Sequence, residues 1–366
     1  MLKFLDEYRS PKLFKAMIEK IQDHSLRGVR LMEFCGSHTV AIMKFGLRSL
    51  LLPQVELLSG PGCPVCVTSI ADLDKAIALA SIPEVIITTF GDMLKVPGSY
   101  SSLQKVRAEG GDVRIVYSAQ DALTIARNNP HRPVIFLGVG FETTAPTIAA
   151  SILEAKSQGI NNYYVYSLHK LCPPVIKALL DSGETKIQGI ILPGHVSVII
   201  GSQPYQFIPQ EYGIGGVIAG FEPLDILLAV EMLITQIEEE KPRIEIGYNR
   251  GVKAEGNRKA QELLGQVFEK ADACWRGIGR VRESGLKLKT EFKNFDAEAI
   301  FPIDILPSAE PKDCVCGEIL RGIKTPLDCK LFNQVCNPEH PIGPCMVSSE
   351  GACAAYYFYL GQDDGR

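Results

Sequence analysis

Little in this sequence would hold a polyanion. Its 38 lysines and arginines are outnumbered by 42 aspartates and glutamates, for a formal charge of -4, and neutralising phosphates needs a basic surface that this balance does not supply. Nucleic acid is not expected as the main partner. Long apolar runs are missing too. The most apolar stretch, "GGVIAGFEPLDILLAVEMLI", is interrupted by Glu222, Pro223, Asp225 and Glu231. It would be costly to insert into a bilayer and reads as a buried strand followed by a helix. The opening "MLKFLDEYRSPKLFKAMIEK" carries charges throughout and has neither an apolar signal core nor a small-residue cleavage site. A cytoplasmic protein is expected.

Cysteine is what the chain has in quantity: eleven in 366 residues. A reducing compartment disfavours permanent disulfides, so such a number points to metal ligation or redox chemistry. Cys35, Cys63 and Cys66 group near the beginning, while Cys314, Cys316, Cys329, Cys336, Cys345 and Cys353 crowd the end. Cys172 and Cys274 stand alone and read as small buried apolar residues.

With 46% hydrophobic and 22% charged residues the composition is globular, and the length suggests two or three domains. From Leu31 to about Ala229, short apolar runs alternate with glycine- or proline-rich turns and helical patterns, as in "PVIFLGVGFETTAPTIAASILEA" and "GIILPGHVSVIIG". Runs of this kind read as parallel strands covered on both faces, an α/β fold. The polar stretch "RNNPHR" suggests a boundary between two similar units, 35–130 and 131–231. Residues 1–34 and 232–366 would form a third, helical and loop-rich domain.

In parallel sheets, ligands gather beyond the carboxyl ends of strands. Cys35, Cys63, Cys66, Glu142, His169 and His195 all follow an apolar run there. Cys35 and His38, three residues apart, would share one side of a helix's first turn, where the dipole favours a thiolate. Glu142 with Thr143 and Thr144 would either orient a ligand across the cleft or cap a helix, and His195 carries the same ambiguity. "GPGCPVC" places Cys63 and Cys66 as a CxxC at a helix start, which suits disulfide cycling, with half of a zinc site as the other reading. In the tail, Cys314, Cys329, Cys336 and Cys353 make a C-x14-C-x6-C-x16-C set fit for zinc or for iron and sulfide. Cys316, two residues from Cys314 in an extended segment, would lie beside the metal without binding it, with Cys345 as its redox partner.

"FCGSHTVAIMKFGL", "GPGCPVC", "GFETT", "PGHVSVIIG" and the tail spacing, in that order and over nearly the whole chain, resemble the HypD family of hydrogenase maturation factors. The resemblance implies two α/β domains and a third that bears a [4Fe-4S] cluster. It also implies a complex with a small HypC-type chaperone, on which the iron of [NiFe]-hydrogenase acquires two cyanides and one carbon monoxide. Cyanide would arrive through a HypE-type donor loaded by HypF. On this resemblance Cys35 holds the iron, Cys63 and Cys66 form a redox pair, and Cys314, Cys329, Cys336 and Cys353 ligate the cluster. Cys316 and Cys345 become a second thiol pair beside it. The family's usual second histidine, two places after the first, is replaced here by Val40, so any role shared by two histidines falls to His38. Competing expectations are an iron-sulfur thiol/disulfide reductase and an interaction protein with structural zinc. Radical S-adenosylmethionine chemistry lacks its CxxxCxxC triplet.

Overall fold

A computed structural model describes residues 6–24 and 26–360. The outermost residues of the expected third domain, 1–5 and 361–366, lie outside the described residues, as does Ser25. The described residues form eleven strands: β1 (Val29–Glu33), β2 (Val55–Ser59), β3 (Ile86–Thr89), β4 (Asp112–Ile115), β5 (Val134–Gly138), β6 (Tyr163–Ser167), β7 (Gly189–Pro193), β8 (Gly215–Ala219), β9 (Ile244–Ile246), β10 (Phe268–Trp275) and β11 (Gly279–Leu288). One parallel sheet has the order β2-β1-β7-β8-β9 and a second has β4-β3-β5-β6, while β10 and β11 form an antiparallel hairpin. The expected α/β fold with two parallel-sheet units is present.

The apolar runs become central strands because both faces are covered. Every residue of β5, β7 and β8 is buried. Successive side chains point to opposite faces, and in the first sheet Leu31, Val55, Leu57, Ile191 and Val217 pack on one side with Ile21 and Leu233 of two covering helices. On the other side, Met32, Leu58, Ile190 and Ile218 join a second cluster. That cluster continues to Ile87, Ile135 and Leu137 of the second sheet and to Cys316, Ile319, Cys345, Met346 and Cys353 of the tail.

Strand pairing divides the chain differently from the sequence pattern. β3 pairs with β5, Ile86 opposite Val134, so a division at residue 130 passes through the second sheet. β1 pairs with β7, Leu31 opposite Gly189, which puts residues 29–33 in the first sheet with 189–246. The chain enters the second sheet after β2 and returns after β6. Local apolarity reveals that a strand is buried; it carries no information on which strand lies beside it.

The tail consists of turns and short helices, Cys316–Leu320, Pro344–Val347 and Ala352–Tyr359, and shares its core with both sheets. Ala352–Tyr359 packs on the helix Gly36–Lys44, and Pro344–Val347 on Pro64–Val67. Among the described residues, no helix is long and apolar enough to cross a membrane.

Leu31 is fully buried where β1 meets β7, and Leu31→Ala should lose about 2–5 kcal/mol of stability, read from urea unfolding followed by circular dichroism.

Candidate functional site

In the first sheet the strand order reverses between β1 and β7, and the loops leaving those strands diverge. Cys35 follows β1 and His195 follows β7, so both stand at this switch point. Cys35 is the N-cap of Gly36–Lys44, and its backbone is pressed against the loop after β2. The Gly36 N–H donates to Gly62 O at 2.9 Å, and a Cβ on Gly62 would stand 2.3 Å from Cys35 N. Only glycine lets these two loops touch, and the contact sets Cys35 beside the Cys63 turn.

The Cys35 thiol is not acidic. It is buried, and burial pushes it up to about 12, helped by Glu350 and Glu33 and opposed by the N–H groups of Ser37 and His38. The end of a nine-residue helix does not outweigh lost hydration and two carboxylates. Glu33 accepts from Cys35 N–H at 2.8 Å and from the Thr39 hydroxyl, and burial raises it to about 7. Glu350, between two tail cysteines, accepts from Ser37 Oγ at 2.7 Å. Neither carboxylate was singled out from sequence, although a charged residue ending the buried strand "VRLMEF" was a signal for Glu33.

His38 is fully buried. Its Nε2 donates to Gly220 O at 2.9 Å, which leaves Nδ1 as the acceptor of a neutral ring; Nδ1 has no partner. Burial lowers its pKa to about 4. Phe221 stacks on His38 at 5.1 Å and on His195 at 3.8 Å, joining the two histidines. Val40 faces elsewhere, packing with Met43 and Tyr356 at the contact with the tail helix.

Glu142 does not cap its own helix. Thr144 is the N-cap there and makes no side-chain cap bond, whereas Glu142 Oε1 accepts from Cys172 N–H at 2.9 Å, at the start of the helix Cys172–Ser182. Its Oε2 is buried and unpartnered, and burial raises Glu142 to about 7. His169 lies apart, its ring against Phe268 of the hairpin. Cys172 is buried, as expected, but Cys274 is exposed on β10, where the hairpin turns that face to solvent.

The remaining thiols meet. Cys63 and Cys66 Sγ lie 2.6 Å apart, and Cys316 and Cys345 Sγ 2.7 Å apart. The two pairs adjoin where Cys66 Sγ lies 3.8 Å from the carbonyl oxygen of Pro344, the residue before Cys345, and Cys66 and Cys345 act on each other's ionisation. Cys66 is pushed well above the ordinary thiol value, chiefly by burial, so the CxxC does not acidify this thiol; its helix Pro64–Val67 is one turn long. Cys316, Cys345 and the set Cys314, Cys329, Cys336 and Cys353 line one cavity whose other walls include Ile319, Leu331, Phe332 and Met346. The 314–316 stretch is not extended, since Cys316 begins a helix, yet both thiols reach the cavity. Gly343 closes it tightly: a Cβ there would sit 2.9 Å from Cys314 Sγ. Among the described residues, no three His, Cys, Asp or Glu side chains gather as a ligand set for a single metal ion.

Fold and site define a cysteine-rich α/β protein with thiols gathered after two strand ends and in a tail cavity. The family model described as "HypD: Hydrogenase formation hypA family" matches residues 12–360. The chain is 45% identical over 368 residues to hydrogenase maturation factor HypD2 of Bradyrhizobium diazoefficiens, covering 98% of this chain and 97% of the relative. It is 44% identical to HypD of Cupriavidus necator with the same coverage, and 43% identical over 370 residues to HypD of Escherichia coli, covering 99% of each. The chain belongs to the HypD family.

Two outcomes test the geometry. Gly62→Val should displace Cys35, read as faster alkylation of the Cys35 thiol in peptide mapping. Glu142 ionises near 4.5 unfolded and near 7 folded, so between these values the unfolded state holds fewer protons and stability falls as pH rises. Glu142→Gln lacks this loss, and its thermal midpoint should gain on the parent's as pH goes from 4.5 to 7.

Proposed function

We propose that this chain is a hydrogenase maturation factor of the cytoplasm that acts as a redox-competent scaffold, with Cys35 as the thiolate that receives iron while cyanide and carbon monoxide are attached. The observation that carries this reading is the row of two close thiol pairs, Cys63–Cys66 and Cys316–Cys345, which adjoin where Cys66 meets Pro344, between the loop beside Cys35 and the tail cavity. The names of the relatives, hydrogenase maturation factors, support it.

At the receiving end, the cargo is a cation. Glu350, together with Glu33 when ionised, sets negative charge beside the Cys35 thiol, which draws in an iron ion, and metal binding displaces the thiol proton. Iron carrying strong-field carbon ligands is soft and suits thiolate. The open Nδ1 of His38 can accept that proton or orient a ligand. A second thiolate would come from a HypC-type chaperone, and cyanide from a HypE-type donor.

In the tail, four thiols around one cavity that is otherwise mainly apolar suit a polynuclear group ligated by cysteine. Cys314, Cys329, Cys336 and Cys353 would hold a [4Fe-4S] cluster, which supplies single electrons when bound. The chain's own thiols move electron pairs. If Cys63 and Cys66 are joined as a disulfide, the Cys345 thiolate attacks Cys66 Sγ and frees Cys63. Cys316 then attacks Cys345 Sγ and frees Cys66. The CxxC ends reduced and the Cys316–Cys345 pair oxidised, with two electrons moved toward Cys35.

Infrared spectra of the protein purified with its chaperone should show bands of metal-bound cyanide and carbonyl, absent in Cys35→Ala. A thiol/disulfide reductase, which the touching thiol pairs also fit, would keep full thiol turnover in Cys35→Ala and show no such bands. Cys345→Ser should leave a Cys63–Cys66 disulfide unreduced by electrons entering at the tail, measured by quantitative thiol labelling.

A further inference from the structure

The turn between β10 and β11 holds a group that neither the sequence motifs nor the thiol chain explains. Arg276 is only 3% exposed. Its N–H donates to Val67 O at 2.9 Å, next to the CxxC helix, and the following Gly277 lies so close to Gly317 that a Cβ would stand 2.2 Å from Gly317 Cα. The hairpin tip is thereby wedged between the two cysteine segments. Its guanidinium uses Nε on Glu310, at 3.1 and 3.2 Å, whereas Nη1 and Nη2 are buried with no partner. Glu310 is the weaker half of this pair, its side chain 54% exposed and so screened by water.

Interiors rarely tolerate a charge left half unpaired, and a buried guanidinium normally finds an anion. Arg276 lines a recess whose wall includes Cys314, Cys316 and Gly343, and these same residues line the thiol cavity from the other side. Building on the cluster reading above, we propose that Arg276 is the counter-charge of the tail cavity, setting the electron affinity of the cluster held by Cys314, Cys329, Cys336 and Cys353. A cube ligated by four thiolates is anionic and becomes more so by one charge on accepting an electron. A cation held nearby in low dielectric therefore favours the reduced state. Glu310 works against this, weakly, because water screens it.

The full chain, reconstituted without oxygen and analysed for iron and sulfide, is titrated with dithionite, each dithionite-derived electron passing to one cluster and bleaching its visible absorption. Arg276→Gln should bind the cluster but lower its reduced-to-oxidised ratio about tenfold at the parent's midpoint, equivalent to about 59 mV for one electron. Arg276→Lys should restore most of it. Glu310→Gln should move the ratio the opposite way. A purely structural role would leave the midpoint in place in Arg276→Gln, or shift both Gln variants in one direction, and either result overturns the proposal. Should Arg276→Gln not fold, Glu310→Gln decides alone: a raised ratio supports the proposal and an unchanged one refutes it. A parent chain that takes up no iron and sulfide refutes the cluster reading as well.

Discussion

The contact between Cys66 and the Pro344–Cys345 turn is the constraint on which the arrangement depends. Here a loop leaving the first sheet meets a tail from the other end of the chain, and Cys66 Sγ lies 3.8 Å from Pro344 O. Both sides are buried, Cys66 and Cys345 having no exposed surface, so the tail is not a loosely tethered module. It is one wall of a core that also includes Met32 and Leu58 of one sheet and Ile135 and Leu137 of the other. A disturbance in the tail is felt at the CxxC because close-packed interiors transmit strain. Glu350, carried between Cys345 and Cys353, extends the same wall to the start of the Cys35 helix through Ser37.

Much of this was legible in the sequence, for identifiable reasons. Continuous apolar runs such as "VIFLG" and "GIILP" announced central parallel strands, since only strands covered on both faces carry such runs. Cys35, the CxxC, Glu142 and His195 do stand in loops or helix starts after strands, as the apolar runs before them indicated, and such loops at the carboxyl ends of strands face the crevice. Pairing order was not legible. β1 pairs with β2 on one side and β7 on the other, and nothing within residues 29–33 indicates that the chain will leave for a second sheet and come back.

Chemical state was harder to read than position. A cysteine at a helix start suggested an acidic thiol, but the sign was decided by neighbours brought from elsewhere: Glu350 from the tail, and a degree of burial that no local pattern encodes. His38 was recognised while its tautomer was not, since that depends on the carbonyl of Gly220, one loop after β8. Val40 shows the converse. Its departure from the family pattern suggested a lost chemical partner, yet the side chain packs in the apolar seam with Met43 and Tyr356. Position 40 serves the seam between two helices.

Charge is sorted along the thiol chain, and the sorting matches what each end would hold. Around Cys35 stand two carboxylates, Glu33 and Glu350, an environment hostile to a bare thiolate and hospitable to a cation. At the other end, Cys316 lies beside the recess that Arg276 lines, and the guanidinium charge opposes the rise that Cys345 and burial impose on its thiol. Between them Cys66 and Cys345 are fully buried, and both thiols are pushed well above the ordinary value. In the proposed relay, charge formed midway would be drawn toward the tail, where Arg276 stands, or neutralised by metal at Cys35, so that the sulfurs in the middle would pass electrons without retaining them.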